Sequence, residues 1–167
     1  MGAGKSAIGK ELARLLARDF FDSDREIERR TGADIALIFD KEGEAGFRRR
    51  ERQVIEELTQ REAIVLATGG GAVLDAANRE CLSARGCVIY LKASVSAQAG
   101  RTGRGQQRPL LAAPDREARL RELFAAREPL YESIARITVS TDQGHVKNLA
   151  RQILREIDGN ASARSVI

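Results

Sequence analysis

GAGKS at residues 2–6, followed at once by Ile8, Leu12, Leu15 and Leu16, is the stretch whose reading decides the fold. Spacings of four, three and one put those apolar residues on a single helical face, so a helix begins inside or directly after the glycines. GAGKS is the C-terminal half of a phosphate-cradling loop whose full pattern is GxxxxGK followed by Ser or Thr. Glycines let backbone N–H groups turn inward onto phosphate, Lys5 reaches the β and γ oxygens, and the Ser6 hydroxyl is placed for Mg²⁺. The positive end of the following helix adds to the same site.

The first glycine of that pattern falls two residues before Met1, and the strand that feeds such a loop is not in the sequence. In folds of this kind the strand is central, so its loss leaves backbone groups unpaired and core side chains uncovered. The expectation is a start codon placed too far downstream, with a truncated protein as the alternative.

Working outward, FFDSD at 20–24 reads as a strand end running into acids, and residues 24–30 as a polar helix stopped by Gly32. Helical spacing follows at Ile35, Ile38 and Phe39, and again from about Gly46 to Leu58. AIVLA at 63–67 and CVIYL at 87–91 are continuous apolar runs, the mark of buried parallel strands, and the first ends in TGGG. Helices are expected over 75–84, 115–127 and 145–157, a last strand at ITVST (137–141), and a frayed polar tail over 159–167. Strands alternating with helices of this length give an α/β layered domain with a mostly parallel sheet, spanning residues 1–158. Residues 100–114, RTGRGQQRPLLAAP with its preceding Gly, are dense in Gly, Arg and Gln and suit a mobile flap.

Composition narrows the class. A chain of 167 residues is one domain's worth, with 43% apolar and 31% charged residues, which fits a globule with a sizeable core. Net charge is 28 minus 24, or +4, but arginines alternate with acids, as in RRRERQ at 48–53, in the manner of solvated helix faces rather than a nucleic-acid stripe. Cys81 and Cys87 form no CxxC pair, and a single imidazole, His145, leaves no material for a His-rich metal site. No apolar run reaches 18 residues and no signal segment opens the chain, so a cytoplasmic protein with no membrane or nucleic-acid partner is expected. A myristoylation reading of Gly2 yields to the phosphate loop, which uses the same letters.

Asp22 and Asp24, two apart at a strand end, share a face if the backbone is extended there. One is then suited to Mg²⁺ through water and the other to substrate hydroxyls or the proton of an attacking one. The plain alternative is a helix cap, which fits Asp24 better than both together. Gly69, Gly70 and Gly71 exceed what a turn needs and admit close backbone approach. Arg48, Arg108 and Arg127 adjoin or lie near residues that restrain the chain; taken alone, each is an ordinary surface arginine.

Taken together, GAGKS, FFDSD, EGEAGFRRRE (42–51), ATGGGAV (67–73), RPLL (108–111) and REPLY (127–131) resemble the shikimate kinase family from Met1 to about Ile157. The resemblance implies a three-layer P-loop kinase fold, here without its central first strand. It also implies transfer of the γ-phosphoryl group of ATP to the 3-hydroxyl of shikimate by a cytoplasmic monomer. Carried over by position, Asp24 binds the shikimate hydroxyls and is the candidate base, Asp22 supports Mg²⁺ through water with Ser6, and Arg48 and Arg127 grip the carboxylate. Gly70 contacts the ring; Gly2, Ala3, Gly4, Lys5, Ser6 and Ala7 cradle the nucleotide phosphates; and Arg108 reaches those phosphates from a closing lid. Ala7 stands where many members have Thr. Arg101 and the loop at Asp142 and Gln143 match segments near adenine. On the residues alone, two further readings stay open: another small kinase of this architecture, and a nucleotide-binding remnant without turnover. With no Trp, two Tyr and five Phe, the chain is poor in groups for stacking a nucleotide acceptor.

Overall fold

Ile64–Ala67 (β2) is buried at all four positions, and its side chains part into two separate cores. Val65 joins Ile8, Leu12, Ile89, Val139 and Ile153, whereas Ile64 and Leu66 join Ile27, Phe47, Ile55 and Leu82. A strand apolar on both faces belongs between two helical layers. The computed structural model describes residues 3–94, 97, 116–159 and 165–166. Along them run α1 (Lys5–Leu16), β1 (Asp19–Asp22), α2 (Ser23–Thr31), α3 (Ile35–Leu58), β2, a 3-10 turn at Ala72–Leu74, and α4 (Ala76–Arg85). Then come β3 (Cys87–Lys92), α5 (Arg116–Ile134), β4 (Ile137–Ser140), α6 (Val146–Gly159) and β5 (Ser165–Val166).

Among the described residues all strand pairs are parallel. β1 pairs with β2, Asp22 opposite Ala67, and β3 pairs with β4, Ile89 opposite Ile137. The expected α/β architecture with a parallel sheet is therefore the one adopted. Both β1 and β2 deliver their C-terminal ends to the same edge, the place where open α/β sheets bind ligands.

Three local readings change. The run at 159–167, expected to fray, holds β5: Ser165 and Val166 pair in parallel with Cys87 and Val88, and β5 also lies beside β2. The two sheets, β1-β2 and β4-β3-β5, thus meet around a segment drawn from the far end of the chain. Inner edges of β2 and β3 expose N–H and C=O groups that favour a strand partner, and that is the physical reason for the pairing. Helix α5 continues to Ile134 rather than stopping at Arg127, although Pro129 lies inside it. Proline removes the bond to the carbonyl of Ala125, and both residues are exposed, so the freed carbonyl faces water. Finally, the two helical stretches after Asp34 join as α3 across a kink at Gly43, whose φ of 68° is natural to glycine.

Candidate active site

The loop after β2 is a hub on which three helices, α2, α3 and α5, converge at three successive glycines. A Cβ at Gly69 would stand 2.9 Å from Asp24 Oδ1 and 3.0 Å from Glu51 Oε1. At Gly70 it would stand 3.3 Å from Tyr131 Oη and 3.9 Å from Arg127 Nη1, and at Gly71 it would run into the Arg48 guanidinium. Only residues without side chains let α2, α3 and α5 close on the loop together. Hydrogen bonds hold it there: Gly69 N–H donates to Ser23 Oγ (3.2 Å), and Tyr131 Oη and Arg127 Nη1 donate to the Gly70 carbonyl (2.5 and 3.3 Å).

Arg127 is buried, and Arg48 retains 18% side-chain exposure. Both were surface arginines on sequence grounds alone; helix spacing and the loop bring them to one place. Arg48 is held from its own helix by Glu51 (2.6 Å) and Glu44 (3.0 Å). Burial works against its charge, and those two carboxylates more than offset that, keeping its pKa above the ordinary value. Tyr131 is raised by burial and remains a donor, and it stacks on Tyr90 with centroids 4.9 Å apart.

The loop read as a phosphate cradle runs into the start of α1. Gly4 adopts φ 82°, and α1 carries no side-chain cap and no acid in its first turn, so its N-terminal N–H groups stay available to an anion. Lys5 lines a cavity with Gly69, Gly70, Arg127 and Tyr131, which joins this end to the glycine loop. Ser6 Oγ donates to Asp22 Oδ2 at 2.7 Å. Ala3 is buried, while Ala7 is exposed.

The acid pair departs from the extended geometry expected of it. The strand ends at Asp22, whose Oδ1 accepts from the N–H groups of Asp24 (3.1 Å) and Arg25 (3.5 Å) as the cap of α2. Asp24 is therefore in the first helical turn, and Asp22, not Asp24, is the cap. The helix turn is what aims Asp24 at Gly69 while Asp22 faces Ser6. Asp142 accepts from Ser94 N–H at 2.7 Å, tying the loop after β4 to the end of β3, and Gln143 beside it is exposed. Gly2, Arg101, Arg108 and the expected lid at 100–114 lie outside the described residues.

The family model for shikimate kinase matches residues 1–158. The chain belongs to the shikimate kinase family. It is 58% identical over 159 residues to the shikimate kinase of Pasteurella multocida (strain Pm70), covering 95% of this chain and 91% of that one. With the shikimate kinase of Acinetobacter baumannii (strain AYE) it shares 54% over 160 residues, covering 96% and 89%. The solved structure of shikimate kinase from Acinetobacter baumannii in complex with shikimate superposes with a TM-score of 0.94 at 53% identity, covering 97% of this chain and 90% of that one. That of Aquifex aeolicus vf5 gives 0.84 at 32%, covering 97% and 94%.

Within this shikimate kinase framework, sequence reasoning passed over Glu51 and Tyr131. Glu51 lies in the 48–53 run taken as solvated, yet it is fully buried. Its one signal was spacing: three residues after Arg48 it shares a helix face with it, as Tyr131 does four after Arg127.

Proposed function

We propose that this enzyme transfers the γ-phosphoryl group of ATP to the 3-hydroxyl of shikimate, giving shikimate 3-phosphate and ADP on the route to chorismate and the aromatic amino acids. The observation that carries the reading is the convergence of Asp24, Arg48 and Arg127 on three successive glycines, of which Gly69 and Gly70, with Arg127, line one cavity with Lys5 at an uncapped helix start. Two arginines suit a planar carboxylate, and an aspartate across the loop suits the hydroxyl side of the same ring. Gly70, held from behind by Tyr131, presents a flat backbone surface to it.

Asp24 accepts the proton of the 3-hydroxyl as its oxygen bonds to the γ-phosphorus and the bond to the bridging oxygen breaks. Gly2, Ala3, Gly4 and Ala7 offer backbone N–H groups to the nucleotide phosphates, and Lys5 offsets charge on them. Ser6 and Asp22, already 2.7 Å apart, are the oxygen donors that fit Mg²⁺, Asp22 through water. When bound, that ion neutralises charge between the β and γ phosphates. Arg108 is assigned to the same phosphates from a closing lid at 100–114, which keeps water from the transferred group. Residues 1–158 act as one catalytic domain in a cytoplasmic monomer, since acceptor and phosphate ends both come from one chain. Among the described residues no helix is long and apolar enough to cross a membrane.

The test is ADP release with ATP, Mg²⁺ and shikimate. Release that depends on shikimate, and that falls at least 100-fold in Asp24→Asn, is expected. A folded protein that releases no ADP with shikimate overturns the proposal in favour of a nucleotide-binding remnant.

A further inference from the structure

Glu51 is the fully buried carboxylate of the site, and its two oxygens are treated differently. Oε2 accepts from Arg48 Nη1 at 2.6 Å, whereas Oε1 is buried and accepts no hydrogen bond from the described residues. Oε1 also faces a second carboxylate: it and Asp24 Oδ1 both lie about one contact distance from the point where a Gly69 Cβ would stand (3.0 and 2.9 Å). A buried carboxylate oxygen with no donor, next to another acid, is a place for a proton.

The charged and titratable groups around it come from four elements. Arg48 and, beyond it, Glu44 share α3; Asp24 faces it from α2; Asp75 lies at the cap of α4; and Tyr131 and Arg127 approach from α5. Arg48 is the cation in direct contact, and it is the same guanidinium that the proposed function assigns to the acceptor's carboxylate.

We propose that Glu51 is a positioning residue that takes up a proton from solvent as the anionic acceptor docks, so that Arg48 exchanges one carboxylate partner for another. The inference rests on the proposed function for the identity of the acceptor. The charge balance requires such an exchange. With Glu51 ionised, the arriving carboxylate meets an arginine already neutralised and a second negative charge 2.6 Å from it. With Oε1 protonated, Glu51 keeps its contact through Oε2 as a neutral group, and the share of the Arg48 charge that Glu51 had neutralised passes to the acceptor, the half-exposed Glu44 staying on the other side of the guanidinium. Burial, ahead of every neighbouring charge, already lifts the Glu51 carboxyl to about 7 in the free protein, so the proton is within reach at working pH. A docked anion lifts it further.

Calorimetry of shikimate binding to the full chain in phosphate and in Tris at pH 7.5–8 measures the proton uptake. Uptake approaching one proton per site is expected, fading below about pH 6, with affinity weakening up to about tenfold per pH unit above 7. Glu51→Gln, isosteric and unable to titrate, is expected to bind with no uptake and less than about twofold pH dependence. Binding without uptake in the wild type, or equal uptake in Glu51→Gln, overturns the inference. Carboxyl ¹³C spectra of the ligand-free wild type give a reading that needs neither the variant nor the ligand. A Glu51 midpoint near 7 supports it, and an ordinary midpoint near 4.5 overturns it. Should shikimate fail to bind while that midpoint stands near 7, the proposed function falls and the buried proton site remains.

Discussion

Tyr131 Oη donates to the carbonyl oxygen of Gly70 at 2.5 Å, across 61 residues of chain, and so fastens α5 to the loop after β2. Arg127, one turn earlier, reaches the same carbonyl. The loop that the proposed function assigns to the acceptor is therefore set by a helix remote in sequence. Tyr131→Phe keeps the stacking on Tyr90 and loses only the hydroxyl. The expected result is a KM for shikimate raised about 3–10-fold, from about 1 kcal/mol of lost hydrogen bonding, with kcat changed less. Steady-state kinetics with shikimate varied at saturating ATP check it.

Gly71 has φ −96°, which any residue adopts, so alanine there strains no backbone. Its Cβ would instead overlap the Arg48 guanidinium. Gly71→Ala is expected to fold normally and to weaken shikimate binding by about tenfold or more by displacing that side chain. Equal affinity for shikimate in a calorimetric titration of wild type and variant would show that Arg48 does not face the acceptor from this position.

Glu26 is held by Arg29 and Arg30 at 2.9 and 2.8 Å, and hydrogen bonding from Arg29 leads in lowering its pKa from the ordinary 4.5 to about 2. A carboxyl depressed in the folded state stabilises fully above its unfolded value and loses that contribution as pH falls through about 2. Arg29 is largely exposed, so screening reduces the gain. Glu26→Gln should lower unfolding free energy by about 1–2 kcal/mol at pH 7, the gap closing as pH falls below 4.5. Urea unfolding of both proteins at pH 7 and pH 3 measures it.

Ser165 and Val166 give β3 its second parallel neighbour. Deleting residues 160–167 removes that pairing and should cost on the order of 1–2 kcal/mol, about 2–8 °C in Tm. Hydrogen exchange at Cys87 and Val88 should rise with it. An unchanged Tm and unchanged exchange would mean that the pairing does not hold in solution.

Much of this was legible in the chain itself. The apolar runs at 63–67 and 87–91 could only be strands covered on both faces, because their hydrophobicity does not alternate. The apolar stripe after GAGKS gave α1, and the triple glycine located the place of closest approach. The acid pair was read correctly as to place and incorrectly as to backbone. Nothing local in FFDSD tells whether the strand stops before or after Ser23, and that residue decides which acid caps and which faces Gly69. The helix end set at Arg127 fell short because α5 runs on through Pro129, where the carbonyl of the exposed Ala125 is left to solvent.

Period and composition are properties of neighbours in sequence, so the sequence alone determined the layered parallel fold. Burial is a property of neighbours in space. RRRERQ therefore looked like one solvated face, and only the closing of α3 on Gly69–Gly71 separated a buried Glu51 and a half-buried Arg48 from the exposed Arg49 and Arg52 beside them. One of the two partners of β3 in the sheet likewise came from the far end of the chain, because an unpaired strand edge selects by hydrogen bonding and not by sequence distance.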